Sequence, residues 1–309
     1  MKYRLAAGVL VALAAAPVHA QTWPVSPTLK GTKVPSGSGF IMYYSIGAAT
    51  APPLVLISGG PGFDATYFRL SPTWGLIAQG AHRRIVFYDQ KGTGKASPVG
   101  PTDTVTIAGS VADLEALRLA LGAQKLDLIG HSFGGYLAMA YGAAHGDRVS
   151  HMILMGSAAP KFSETIFLFD KVFPETGGNE KLGGALASGN TSEMEAATTQ
   201  YLRMIFWSPE NRDRFLKALG HTGFNIHQFA HLSKDMGATD LTAAIGRFTF
   251  PTLVVSGRYD MNVAPLTGFR IHQAIPGSKF AIMERSSHMM FYEEPGQYAK
   301  VVSSFLNER

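Results

Sequence analysis

Lys125-Leu126-Asp127-Leu128-Ile129-Gly130-His131-Ser132-Phe133-Gly134-Gly135-Tyr136 decides how the rest of the chain is read. A short apolar run stops at Gly-His-Ser-Phe-Gly-Gly, and a helix-compatible run, Tyr136 to Ala144, follows at once. Gly-x-Ser-x-Gly between a strand and a helix is the pattern of a sharp elbow that lifts a serine hydroxyl to the edge of a sheet. The turn forces the serine into a strained backbone conformation. The residues two before and two after it must lack a Cβ, so that strand and helix can approach. Such a pattern also arises by chance in a glycine-rich chain, so its surroundings decide.

Upstream, Pro53-Leu54-Val55-Leu56-Ile57 is a continuous apolar run, the signature of a strand buried on both faces. It runs into Ser58-Gly59-Gly60-Pro61-Gly62, whose backbone N–H groups no bulky side chain covers. Arg84-Ile85-Val86-Phe87-Tyr88 is the next such strand and ends in Asp89-Gln90-Lys91-Gly92-Thr93-Gly94-Lys95-Ala96-Ser97. Gly-Thr-Gly-Lys is not a phosphate loop here: Asp89 stands where the first glycine is required, and Ala96 where Ser or Thr would hold magnesium. This loop is expected to wall the site, with Asp89 and Ser97 making local turn bonds. Thr104 to Leu121 reads as a helix closed by Gly122, and His151 to Gly156 as a further strand. Strands alternating with helices imply an α/β fold with a mostly parallel, doubly wound sheet that binds ligands at the carboxyl ends of its strands.

Between Ala158 and Arg247 the rhythm changes. Strong strand runs disappear, while Phe162, Phe167, Phe169, Phe173, Tyr201, Met204, Phe206, Trp207 and Phe215 accumulate. The expectation is a helical cap over 158–247, inserted into a core formed by 21–157 and 248–309, most of its aromatics packing the cap itself. The sheet resumes with Phe250-Pro251-Thr252-Leu253-Val254-Val255, ending in Ser256-Gly257-Arg258-Tyr259-Asp260, and with Lys279 to Met283, followed by Glu284-Arg285-Ser286-Ser287-His288. Gln297 to Leu306 is an amphipathic helix.

A serine hydroxyl is a poor nucleophile at neutral pH and needs a base of suitable pKa, which points to histidine. That imidazole needs a carboxylate to fix its tautomer and stabilise its charged form. With an elbow serine the chain order is Ser, acid, His, the last two on loops after late strands. Ser132, Asp260 and His288 meet it. The backbone N–H of Phe133 and that of Gly60, with Gly59 as the alternative, are placed to stabilise an oxyanion. Of the other histidines, His221, His227 and His231 fall in the expected cap, but no Glu accompanies them in a His-Glu-x-x-His arrangement, so no metal and no cofactor is expected.

The amino terminus carries Lys2 and Arg4, an apolar stretch from Leu5 to Val18, and Val18-His19-Ala20. This is the pattern of a secretory signal cleaved after Ala20, implying a periplasmic or secreted protein without a stable membrane anchor. The chain has no cysteine, so disulfides are excluded. The formal charge of +5 falls by two when the leader goes, and the remaining basic residues form no stripe of the kind a nucleic-acid partner requires. A small-molecule substrate is expected instead.

These motifs together resemble the α/β-hydrolase fold and, within it, the proline iminopeptidase family of serine peptidases. The likeness rests on Gly59-Gly60-Pro61-Gly62, Tyr88 to Gly94, Gly130 to Gly135, Gly257-Arg258-Tyr259-Asp260 with Pro265, and Ser287-His288 with Glu293 or Glu294. The resemblance implies removal of an amino-terminal residue, often proline, from a peptide. Three positions depart from the family. Ser58 replaces a usual His, Phe133 replaces a usual Trp, and 221–229 lacks the carboxylate expected to hold the substrate ammonium. Met261 follows the acid where some relatives carry Glu. Glu164, Glu175, Glu193 and Glu195 are the candidate substitutes. A carboxylesterase or lactonase acting on small acyl substrates is therefore the alternative, and a non-catalytic binding protein on the same fold is the reading from a different class.

Overall fold

Side chains of a strand alternate between its two faces, and here both faces are apolar. In β3 (Pro53–Ile57), Val55 and Ile57 enter one buried cluster, while Leu54 and Leu56 enter another. The same division holds in β5 (Leu126–His131), with Leu126 and Leu128 opposite Ile129. In β6 (Val149–Met155), Met152 and Leu154 oppose Ile153 and Met155. A sheet with two apolar faces needs a helical layer on each. The computed structural model describes residues 29–172, 184, 188 and 190–308, so the expected leader lies outside the described residues.

The strands form one eight-stranded sheet in the order β1-β2-β4-β3-β5-β6-β7-β8. The remaining strands are β1 (Thr32–Ser36), β2 (Gly39–Ile46), β4 (Arg84–Asp89), β7 (Thr252–Gly257) and β8 (Lys279–Met283). All pairs from β4 through β8 are parallel; β1 and β2 join antiparallel at one edge. On one face lie α1 (Thr73–Gly80), which buries Trp74 and Ile77, and α8 (Pro295–Leu306), which buries Tyr298, Val302 and Phe305. The other face holds α2 (Ile107–Ala120), α3 (Phe133–His145) and α7 (Pro265–Ala274). The sequence places the start of α2 near Thr104. It begins at Ile107 because the Thr106 hydroxyl accepts the Gly109 N–H at 3.0 Å and caps the first turn.

Between β6 and β7 the described residues form no named strand. They build α4 (Thr191–Met204), α5 (Pro209–Leu219), α6 (Ile226–Ala238) and several single turns. Asn190, Ser208 and Asn225 cap these three helices through their side chains. The loop after β4 holds this helical segment from below: Asn225 Nδ2 donates to Gly92 O at 2.8 Å and Gln228 Nε2 to Lys91 O at 2.6 Å. We propose that 158–247 is a cap and that 21–157 and 248–309 form one core. No helix among the described residues is long and apolar enough to cross a membrane.

Candidate active site

β5 ends at His131, α3 begins at Phe133, and Ser132 alone makes the turn between them at φ 57° and ψ −120°. A side chain rarely adopts this backbone region, and it persists only where the surroundings over-determine it. They do so here. Ser132 N–H donates to Met155 O at 3.0 Å, and Ser132 O accepts from Gly135 N–H at 3.0 Å and from Ala158 N–H at 3.2 Å. A Cβ at Gly130 would strike the backbone of Gly134 and Gly135, and one at Gly134 would strike the carbonyl of Ile57. The glycines are steric requirements of the elbow.

Asp260 and His288 come together from the loops after β7 and β8. Asp260 Oδ2 accepts His288 Nδ1–H at 2.7 Å, and both side chains are almost completely buried. Asp260 Oδ1 accepts the backbone N–H groups of Asn262 at 3.0 Å and Val263 at 2.8 Å, which fixes the carboxylate. This leaves Nε2 of His288 as the acceptor nitrogen. Its partner is Asn262 Nδ2 at 3.0 Å, while Ser132 Oγ makes no side-chain hydrogen bond among the described residues.

A cavity of about 290 Å³ opens above Ser132, and Gly60, Phe133, Asn262 and Val263 share its wall. Phe63, Phe162, Phe167, Tyr201, Phe224, Phe229 and Met236 supply most of the apolar surface. No Asp, Glu, Lys, Arg or His side chain lines it among the described residues. A smaller cavity of about 20 Å³ adjoins it, lined by Ser132, His288, Gly60, His131 and Tyr201. The Phe133 N–H is the first of α3 and has no partner within the helix. Gly60 N–H makes no backbone hydrogen bond among the described residues, whereas Gly59 N–H donates to Tyr67 Oη at 2.8 Å. Of the two glycine N–H groups weighed from the sequence, Gly59 is thus bonded within the fold and Gly60 is not, among the described residues.

Sequence reasoning missed Asn262 and also Tyr67. Its hydroxyl lies 2.9 Å from His131 Nδ1, and His131 Nε2 lies 3.1 Å from the His288 carbonyl. A carbonyl only accepts, so His131 carries its proton on Nε2 and Tyr67 donates to Nδ1. Burial, and then the neighbouring His288, hold the His131 pKa well below the usual histidine value. Burial likewise pushes the Tyr67 hydroxyl well above the usual tyrosine range. One neutral hydrogen-bonded chain thus ties the Gly59-Gly60 loop, the elbow and the His288 loop together.

Glu293 anchors the same region to the helical segment. It accepts N–H groups from Trp207 at 2.9 Å, Ser208 at 2.8 Å and Ser287 at 2.7 Å. The loop after β4 stands behind the site rather than walling it. Asp89 accepts from Tyr44 Oη, Ala65 N–H and Lys95 N–H, and Ser97 Oγ accepts from Phe40 N–H. No residue of 89–97 lines either cavity.

A family model of the α/β hydrolase fold matches residues 52–295. Among curated proteins, the chain is similar to the proline iminopeptidase of Saccharolobus solfataricus, 30% identical over 273 residues that cover 82% of this chain and 84% of that one. It is also similar to the proline iminopeptidase of Lactobacillus helveticus, 28% identical over 286 residues, covering 87% and 95%. Among solved structures, an esterase from Exiguobacterium antarcticum superposes with a TM-score of 0.70 at 21% identity, covering 90% of this chain and 100% of that one. The last is a likeness of fold.

Proposed function

The chain belongs to the α/β-hydrolase fold family, and from that premise we propose a serine hydrolase that works through an acyl-enzyme. The observation that carries this is Ser132, a non-glycine residue held at positive φ at the start of α3, where it opens onto a cavity beside the buried Asp260–His288 pair. Ser132 Oγ attacks a carbonyl carbon and its proton passes to His288 Nε2. Asp260, accepting the Nδ1–H, stabilises the imidazolium. The oxyanion accepts the N–H groups of Gly60 and Phe133, the second favoured by the amino end of α3. The leaving group then takes the proton from Nε2. A water that gives its proton to Nε2 attacks the acyl carbon, and Ser132 Oγ leaves by taking that proton back from Nε2, which frees the carboxylic acid and restores the resting site.

The cavity supports an uncharged, largely apolar acyl group, joined as a carboxylic ester or lactone. A substrate ammonium desolvated there would need a carboxylate, and the described lining offers none. Glu195 is held by Thr222, Glu193 by Ser188 and Asn190, and Glu164 is exposed beside Lys161. Glu175 lies outside the described residues. The second reading, removal of an amino-terminal residue from a peptide, has the support of the curated relatives.

Short-chain aryl esters and lactones assayed beside proline and alanine arylamides separate the two. Ester or lactone turnover without arylamide turnover is the expected result. Arylamide turnover that disappears on amino-terminal acetylation establishes the peptidase instead. No turnover and no reaction with a fluorophosphonate would leave the binding protein. The leader supports export to the periplasm or the medium.

A further inference from the structure

A neutral imidazole offers one in-plane lone pair, and on His288 that lone pair faces Asn262. Asn262 is two residues beyond Asp260 and is held there by its own backbone N–H on the carboxylate. The residue is 95% buried yet reaches the wall of the 290 Å³ cavity that Ser132 also lines. The Asn262 amide therefore occupies the acceptor to which the proposed mechanism sends the Ser132 proton.

We infer that Asn262 is a specificity-determining residue that keeps His288 from Ser132 until a substrate oxygen draws its amide away. The inference rests on the serine-hydrolase reading of Ser132 and His288. An amide that leaves Nε2 without finding another acceptor becomes a buried, unpaired donor, which is costly. A substrate carrying an oxygen close to its scissile carbonyl satisfies that amide and frees the base in one move. A purely hydrocarbon acyl chain of the same shape does not. The substrate class is thereby narrowed to acyl groups with an ether, carbonyl or hydroxyl oxygen near the reacting carbon. Sites built to bond such an oxygen discriminate strongly against the analogue that lacks it.

Two measurements on the full chain test this, using wild type, Asn262→Leu as the near-isostere and Asn262→Ala as a second variant, with folding checked by circular dichroism. The first is the rate of labelling by a small dialkylphosphinic fluoride, a probe with no oxygen beyond its phosphoryl group. Removing the competing donor is expected to speed it by about 10-fold. The second is the ratio of kcat/KM for 4-nitrophenyl methoxyacetate to that for 4-nitrophenyl butyrate, acyl groups that differ by an ether oxygen in place of a methylene. Intrinsic ester reactivity cancels when this ratio is compared between proteins. It is expected to fall by about 5-fold in the variants, chiefly through faster turnover of the butyrate. Labelling at an unchanged or lower rate, or an unchanged ratio, overturns the role of Asn262 while the serine hydrolase stands. Failure of folded wild type and both variants to label at all overturns both. Should the variants not fold, a wild-type ratio no greater than that of the two esters' hydroxide-catalysed hydrolysis rates overturns the role of Asn262.

Discussion

Tyr67 shows how one side chain sets the geometry of three loops. Its hydroxyl satisfies Gly59 N–H and His131 Nδ1, both buried, and so holds the Gly60 N–H beside Ser132. Tyr67→Phe leaves both partners unpaired. It should cost about 1–3 kcal/mol in urea unfolding and lower kcat on an aryl ester by roughly 10- to 100-fold as the donor loop loosens. Equal stability and equal kcat would remove Tyr67 from the account. At Glu293, burial pushes the carboxyl up to about 7, against the pull of three N–H donors. The raised value means that between about 4.5 and about 7 the folded chain keeps a proton that the unfolded chain has released. The associated stability is full below that window and is lost as pH rises through it, by up to about 3 kcal/mol. Unfolding free energies at pH 5 and pH 8 should show this loss, and Glu293→Gln should flatten it. Glycine spacing and strand ends single out Ser132, Asp260 and His288 in the sequence, and the structure pairs His288 with Asp260 and sets Ser132 at the cavity. The contacts of Tyr67 and Asn262 were not legible, because they depend on which loops the fold brings together, and no local pattern carries that.

The elbow is the element on which the sheet and the site depend together. Gly134 approaches the carbonyl of Ile57 so closely that β3 and α3 leave no room for a methyl group. Gly134→Ala should therefore destabilise by about 1–3 kcal/mol, read as a lower urea midpoint, although it removes no side chain from the site. A midpoint equal to wild type would mean that strand and helix are not packed this way. The inner strands were readable from their continuous apolar runs, since burial on both faces leaves no polar alternation to confuse them. β1 was not. It is an edge strand whose Thr32, Lys33 and Pro35 are exposed, so burial left little trace in its composition. The loop after β4 was read as a wall of the site because it leaves the active edge. Its glycines and backbone carbonyls instead face Asn225 and Gln228 of the helical segment, a contact decided by tertiary packing.

Across the whole molecule, two apolar layers carry the fold without disulfides, and residues of the helical segment between β6 and β7 share a cavity with Ser132 that no charged side chain lines among the described residues. The proposed leader makes a separate prediction: amino-terminal sequencing of protein recovered from a host's periplasm or medium should begin at Gln21, and a chain retained in the cytoplasm with Met1 or Lys2 would contradict export. The central claim is that this architecture exists to activate one serine. Its most direct test is mass spectrometry of the folded chain after treatment with a fluorophosphonate. The account predicts one phosphonyl adduct, on the peptide containing Ser132, absent from Ser132→Ala and formed far more slowly in His288→Ala. A folded protein with no adduct, or with its adduct on another residue, would contradict it.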